Sequence, residues 1–214
     1  MLLAAYQACE LHRTGLLHAL DVAPWWNVAG SVVLLDGATY WWHRAYHQLP
    51  PMWRMHRVHH SDLDVDVTTS GRFHLTEMVL SAAFRLGVIA LWGAGAASVV
   101  IFEIVFGLFN QLEHANLRLP SRLDRGLRAV FVTPDMHRVH HSQIPDHTNS
   151  NYGTIFSFWD RWFGTYRVAE DQRALVIGLP AYRVPVDVTI GKVLAMPFGP
   201  PCGALESSAQ AAVS

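Results

Sequence analysis

Lysine is all but missing from this chain: Lys192 is the only one in 214 residues. Charge of either sign is sparse, at 15% of residues, against about a quarter in an average soluble protein. With a net charge of -1 and no basic stripe, a nucleic-acid partner is not expected. The two cysteines, Cys9 and Cys202, lie near opposite ends and lack ligand spacing. Their placement excludes a disulfide framework and a thiolate zinc site, and fits a chain facing a reducing compartment. No G-x-G-x-x-G fingerprint of a flavin or nicotinamide site is present. A signal peptide does not fit either, because Glu10, His12 and Arg13 break the first apolar run. Residues 1–32 read as an N-terminal segment, either an interfacial helix or part of a membrane helix.

Apolar residues, by contrast, are plentiful. They make up 51% of the chain, and the mean hydropathy is +0.17, which points to partial residence in lipid. "PWWNVAGSVVLLDGATYWWHRAYHQLPP" carries aromatics at both ends, like interface belts around a membrane helix. Pro50 and Pro51 end that helix just after His47. From Leu86 to Phe109 only Glu103 is charged. That stretch is either one long span or a hairpin near 76–112 that turns at "WGAGA", where Gly93 and Gly95 favour the hairpin. In a hairpin Arg85 lies partway along the first limb, with Glu103 as a candidate ion-pair partner. A hairpin also returns the chain to the side it left. Arg44, Arg54, Arg57 and Arg72 on one flank, and Arg118, Arg122, Arg125, Arg128, Arg138, Arg161 and Arg167 on the other, put that side in the cytoplasm.

Thirteen histidines are the abundant polar feature, and "MHRVHHS" occurs twice, at 55–61 and 136–142. No repeat architecture surrounds the copies, so they share chemistry and not scaffold. His43 and His47 stand at i and i+4. His56, His59 and His60, and likewise His137, His140 and His141, stand at i, i+3 and i+4. Each set occupies one helical face. So many imidazoles gain little from packing, and protonated they would repel one another; a metal ion requires them neutral and compensates their desolvation. Imidazole suits iron, zinc, copper or nickel, whereas calcium and magnesium prefer oxygen. The eight rings exceed the needs of one ion and match two, for which a redox-active iron pair makes the best chemical sense. His12 and His18, standing alone, read as ordinary polar residues.

"YWWHRAYHQLPPMWRMHRVHHS" and "TPDMHRVHHS" together resemble the fatty acid hydroxylase/sterol desaturase superfamily, with its HxxxH, HxxHH, HxxHH pattern. "SDLDVDVTTSGRFHLTE", "QLEHAN" and "NYGTIFSFWDRWFGTY" extend the likeness over residues 33–167. The resemblance implies an all-α integral membrane helical bundle with a cytosolic histidine-rich helical cap. It implies a non-haem di-iron lipid hydroxylase or desaturase that uses O2, with zinc able to replace iron in isolated protein. The implied ligands are His43, His47, His56, His59, His60, His137, His140 and His141, with His114 of "EHAN" as a ninth. Electrons would come from a separate donor, cytochrome b5-like or a ferredoxin with its reductase. The lipid chain would lie against "FRLGVIALW" or the helix at 28–42. Family members have further membrane helices before the first cluster; here little chain precedes it, and self-association into a homo-oligomer is one remedy.

His74 and His147 read as ligands or as loop residues supporting them. Asp36, Glu113 and Asp135 are candidates for carboxylates that fix ring tautomers. From about residue 170 the pattern fades, so residues 168–214 form an extension whose end, "GPPCGALESSAQAAVS", reads as disordered. Two readings from other classes also use the histidines: a metal transporter or storage protein, and a silent descendant acting by interaction alone. Transport requires polar groups distributed across the bilayer, and the apolar centre contains no histidine.

Overall fold

The computed structural model describes residues 15–20 and 23–200. The expectations for Cys9, His12, Cys202, the first fourteen residues and the tail from 201 lie outside the described residues, as does the side chain of His18. Among the described residues there are helices and turns but no strand, only isolated bridges pairing Phe131 with Phe156 and Ser142 with Ile177.

After a short α1 (Leu16–Leu20), α2 runs over Pro24–Gln48, opened by a proline whose missing N–H costs nothing there. It stops at Leu49, held extended (φ -104°, ψ 114°) because the residue before a proline avoids the helical region. Pro50 then starts α3 (Pro50–His60) at once. This double-proline corner folds the end of α2 against α3. α4 (Leu75–Trp92) begins at His74, whose ring accepts from the Thr76 N–H, and ends at Gly93 in the left-handed region (φ 76°). α5 follows over Ala96–His114, so the hairpin is present and the single long span is not. The Asn27 carboxamide oxygen accepts from the Gly95 N–H (3.2 Å) and the Ser98 hydroxyl (2.6 Å), tying the hairpin tip to the start of α2.

α2 is the spine on which α4 and α5 both pack. Their shared core is Leu35, Ile89, Ala94, Val99, Phe102 and Ile155. The opposite faces of α4 and α5 remain apolar and open, with Leu91, Ile104 and Leu108 all exposed. These two are the helices, among the described residues, long and apolar enough to cross a membrane. α2 is longer, at 25 residues, but less apolar, with Asn27, Ser31, Asp36, His43, Arg44 and His47 along it.

Beyond α5 come α6 (Ser121–Leu127), α7 (Pro134–His140), α8 (Pro145–Thr148) and α9 (Phe158–Trp162). The stretch after residue 170, where the sequence pattern fades, is nonetheless ordered through Pro200. It holds a 3-10 turn (Pro185–Val188), α10 (Ile190–Ala195) and another 3-10 turn (Met196–Phe198). Hydrogen bonds from α3 to its backbone carbonyls do the fixing, and a periodicity scan of side chains cannot see those.

Candidate metal centre

The corner at Leu49 and the return through α5 and α7 bring nine histidines into two adjoining groups. His43, His47, His56, His60 and His140 form one; His59, His114, His137 and His141 form the other. Within each group one ring nitrogen per residue lies within 4.8 Å of all the others. The groups adjoin: the rings of His60 and His141, one from each, have centroids 4.5 Å apart. All nine predicted ring positions are therefore brought together.

The outward nitrogens are fixed by hydrogen bonds. His43 Nδ1 donates to the Tyr152 carbonyl (2.9 Å), His140 Nδ1 to the Ser150 carbonyl (2.6 Å) and His114 Nδ1 to the Asn110 carbonyl (2.6 Å). A carbonyl can only accept, so each Nδ1 carries the proton and each neutral ring keeps a bare lone pair on Nε2. His56 Nδ1 bonds to the Glu77 carboxylate at 2.6 Å, with the same consequence. Yet His43 Nε2 lies 3.1 Å from His56 Nε2, with no proton available between them. In the second group His114 Nε2 stands 3.1 Å from His59 Nε2 and 3.0 Å from His137 Nε2, and His137 Nε2 stands 3.1 Å from His141 Nε2. Both nitrogens of His47 and one each of His59, His60, His137, His140 and His141 are buried without a hydrogen-bond partner among the described residues. The lone pairs of His43 and His56, aimed at one another across 3.1 Å in a buried site, are tolerable only around a cation. The donor set fits a divalent transition metal in each group.

Electrostatics agree with that fit. Burial first, and the crowding of neighbouring imidazoles second, hold His59, His60, His137, His140 and His141 well below the ordinary histidine range. These rings stay neutral, as ligands must.

The supporting residues differ from those expected. Asp36 is not a ring partner: its carboxylate accepts from the Ile155 and Phe156 N–H groups and from the Trp159 indole, and so anchors the loop before α9 to α2. Asp36 does share the azimuth of His43, but it lies nearly two turns further along the helix. Asp135 hydrogen-bonds no ring, and its Oδ1 is buried without a partner among the described residues. Glu113 does lie against the second group, 3.8 Å from His114 Nδ1 and 3.7 Å from His137 Nδ1. His74 is a helix cap that also donates to the Leu194 carbonyl (3.2 Å), and neither it nor His147 belongs to either group.

Sequence reasoning missed Glu77 and Asn151. Glu77 is the first-turn acid of α4, read only as the start of a limb. Asn151 adopts the left-handed region (φ 53°), and its side chain bonds the Met136 carbonyl and both the N–H and carbonyl of Arg167. This locks the two carbonyls on either side of it, Ser150 and Tyr152, onto His140 and His43. Asp160 completes the frame by accepting from the Tyr152 and Gly153 N–H groups. An asparagine between polar neighbours, "NSNYG", is the signal that could have found it.

A cavity of about 310 Å³ runs from the rings into the helical bundle. His43, His56, His59, His114 and His137, drawn from both groups, form its inner end. Leu35, Ala38 and Trp42 of α2 and Ala82, Phe84, Leu86 and Val88 of α4 line it, so both stretches considered for a lipid chain contribute to its wall. Arg85 lines it too, bonded to both Glu103 oxygens at 3.0 Å and lying over the Phe106 ring at 4.7 Å. The ion pair proposed between the hairpin limbs is present.

A sequence profile described as "Fatty acid hydroxylase" matches residues 28–165. Among curated proteins, an ornithine lipid hydroxylase of Rhizobium tropici is 34% identical over 66% of this chain and 43% of its own length. An alkylglycerol monooxygenase of Danio rerio is 33% identical over 72% of the chain and 34% of its own. A very-long-chain aldehyde decarbonylase of Oryza sativa subsp. indica is 31% identical over 69% and 26% respectively. The chain thus spans less than half the length of these curated relatives. No solved structure matches it.

Proposed function

Since the chain belongs to the fatty acid hydroxylase family, we propose that it is a membrane-bound oxidoreductase that hydroxylates or desaturates a lipid with dioxygen. Its ligands are His43, His47, His56, His60 and His140 for one iron ion, and His59, His114, His137 and His141 for the other. The observation that carries this reading is the join of two histidine groups to one apolar cavity whose inner wall is built from both. Bound iron supplies the activation of dioxygen that an unactivated C–H bond requires.

The chain's own residues do the rest. Tyr152, Ser150, Asn110 and Glu77 hold the Nδ1 protons and so aim Nε2 of four rings inward. The α2 and α4 side chains line a dry slot for an extended alkyl chain and exclude bulk water from the reacting carbon. α4 and α5 cross the bilayer as a hairpin, and the histidines sit at its cytoplasmic edge, in keeping with the arginines around them. Electrons come from a separate redox protein, since no nicotinamide or flavin fingerprint exists here. A lipid substrate also suits the printed names of the relatives.

The test is lipid analysis of cells with and without the protein, seeking a species that gains one oxygen or loses two hydrogens. His59→Ala and His140→Ala should each abolish that product and deplete iron from the purified chain. Full lipid oxidation in either variant would overturn the ligand assignment.

A further inference from the structure

We infer that residues 184–198 are an in-plane membrane anchor, lying in the hydrocarbon edge of the bilayer beside the foot of α4. The inference rests on the membrane reading above, and it concerns a segment outside the matched residues 28–165.

One side of the segment is clasped to the protein through its backbone. Arg54 Nη1 donates to the carbonyls of Pro197 (3.1 Å) and Gly199 (3.3 Å). The fully buried Arg57 donates to the Met196 carbonyl and to that of Pro200 (2.8 Å). His74, the cap of α4, reaches the Leu194 carbonyl at 3.2 Å, and Met196 and Pro197 are buried beneath. The other side is apolar and bare: Val186, Ile190, Leu194 and Phe198 are 60%, 81%, 54% and 78% exposed. Single exposed apolar residues are ordinary, but four large ones within thirteen residues, with Ile190 and Leu194 on one face of α10, form an interaction surface.

The location identifies the occupant. Phe198 packs 6.2 Å from the His74 ring, and Leu75, Met78 and Val79 are exposed on the first turns of α4 directly after it. The stripe therefore continues the open apolar face of a helix fit to cross the membrane. Lys192 pairs with Asp187 at 3.3 Å and, as a long-stemmed cation, can reach head groups from an interfacial helix. A second protein copy is the weaker occupant, because four side chains offer well under the about 800 Å² per partner that a stable dimer buries.

The experiment uses the full chain with Cys9→Ser and Cys202→Ser, reconstituted in phosphatidylcholine/phosphatidylglycerol vesicles. Single cysteines replacing Ile190, Leu194, Phe198, Asp187 or Ile104 carry an environment-sensitive fluorophore, and brominated lipids serve as quencher. Labels at 190, 194 and 198 should emit at shorter wavelength and lose most of their intensity to brominated lipid, as at 104, while 187 stays solvent-like. Solvent-like emission at 190, 194 and 198 with quenching at 104 would overturn the anchor and leave the membrane reading intact. Blue-shifted but unquenched labels at 190, 194 and 198 would assign the stripe to a protein contact instead, overturning the lipid proposal. Loss of quenching at 104 itself would refute the membrane reading, and the anchor with it.

Discussion

Residues 55–61 and 136–142 carry the same seven letters on two helices, yet they deliver their rings in opposite senses. In the first copy His56 and His60 serve the group of five and His59 the group of four. In the second, His137 and His141 serve the group of four and His140 the group of five. Helical geometry explains the split. At 100° per residue, positions i and i+4 lie about 40° apart in azimuth, whereas i+3 and i+4 diverge by about 100°. Each helix therefore commits its i, i+4 pair to one group and lends its i+3 ring to the other. The centre is consequently cross-braced: neither helix can shift without disturbing both groups. The environments of the copies differ elsewhere. Arg57 is buried and holds the C-terminal segment, while its counterpart Arg138 bonds the Asn116 side chain at 2.9 Å.

The exchange can be broken most decisively by pairing the lent ring His59 with a second ring from either group. His59→Ala combined with His141→Ala should strip one ion and leave the other, because both serve the same group. His59→Ala with its helical neighbour His56→Ala should lower occupancy of both. Lipid oxidation is lost in every case, so elemental analysis of bound iron per chain is the measurement that decides. Equal iron loss in the two double variants would refute the crossed assignment.

A smaller effect tests how the first copy is aimed. Glu77→Gln keeps the size of the side chain but weakens its hold on the His56 Nδ1 proton, and should reduce metal affinity at the group of five by roughly 10–100-fold. Asp36→Asn, which touches no ring, should leave metal affinity unchanged and instead lower the unfolding midpoint. Metal titration monitored alongside thermal melting separates the two.

Acid should act through both copies in metal-free protein, on two rings of the first and three of the second. The folded chain holds His59, His60, His137, His140 and His141 neutral well below the ordinary histidine range, through burial first and mutual repulsion second. The unfolded chain binds protons on them from about pH 6.5 downward. Stability is thus fully present above that value and lost as pH falls below it, by about 1.4 kcal/mol per pH unit for each ring. Denaturant unfolding with chelator, between neutral pH and pH 5, would reveal the slope; a flat profile would contradict the burial of these rings.

The smallest difference lies in the matched arginines. Arg57→Ala removes a charge-assisted donor from the carbonyls of Met196, Gly199 and Pro200 and should cost about 3 kcal/mol, whereas Arg138→Ala, which loses a bond to the Asn116 side chain, should cost about 1 kcal/mol. Equal losses would mean that the C-terminal segment contributes nothing to holding α3.

Much of the centre was legible before any coordinates. Pro50, Gly93 and Gly95 mark the ends of α2, α4 and the hairpin turn through local backbone sterics, which neighbouring letters control. Eight of the ring positions stand out because i, i+3 and i+4 spacing is a property of a single helix, while the ninth, His114, came only from the family resemblance. Asp36 misled for the same reason: its azimuth was right, but its neighbours Ile155 and Trp159 come from a segment more than a hundred residues away. Glu77, Asn151 and the clasp of Arg54 and Arg57 on the C-terminal carbonyls were invisible because each acts on a distant backbone or ring.

Helix limits, the identity of the rings and the apolar hairpin follow from short-range rules that operate within a few residues of one another. The sharing of rings between the two groups, the hydrogen bonds that hold their tautomers, and the slot that both groups face arose only when α2, α3, α4, α5, α7 and the turn at 150–152 met. Metal coordination is a convergence of lone pairs on a point, and no spacing along a single chain specifies where such a point will lie.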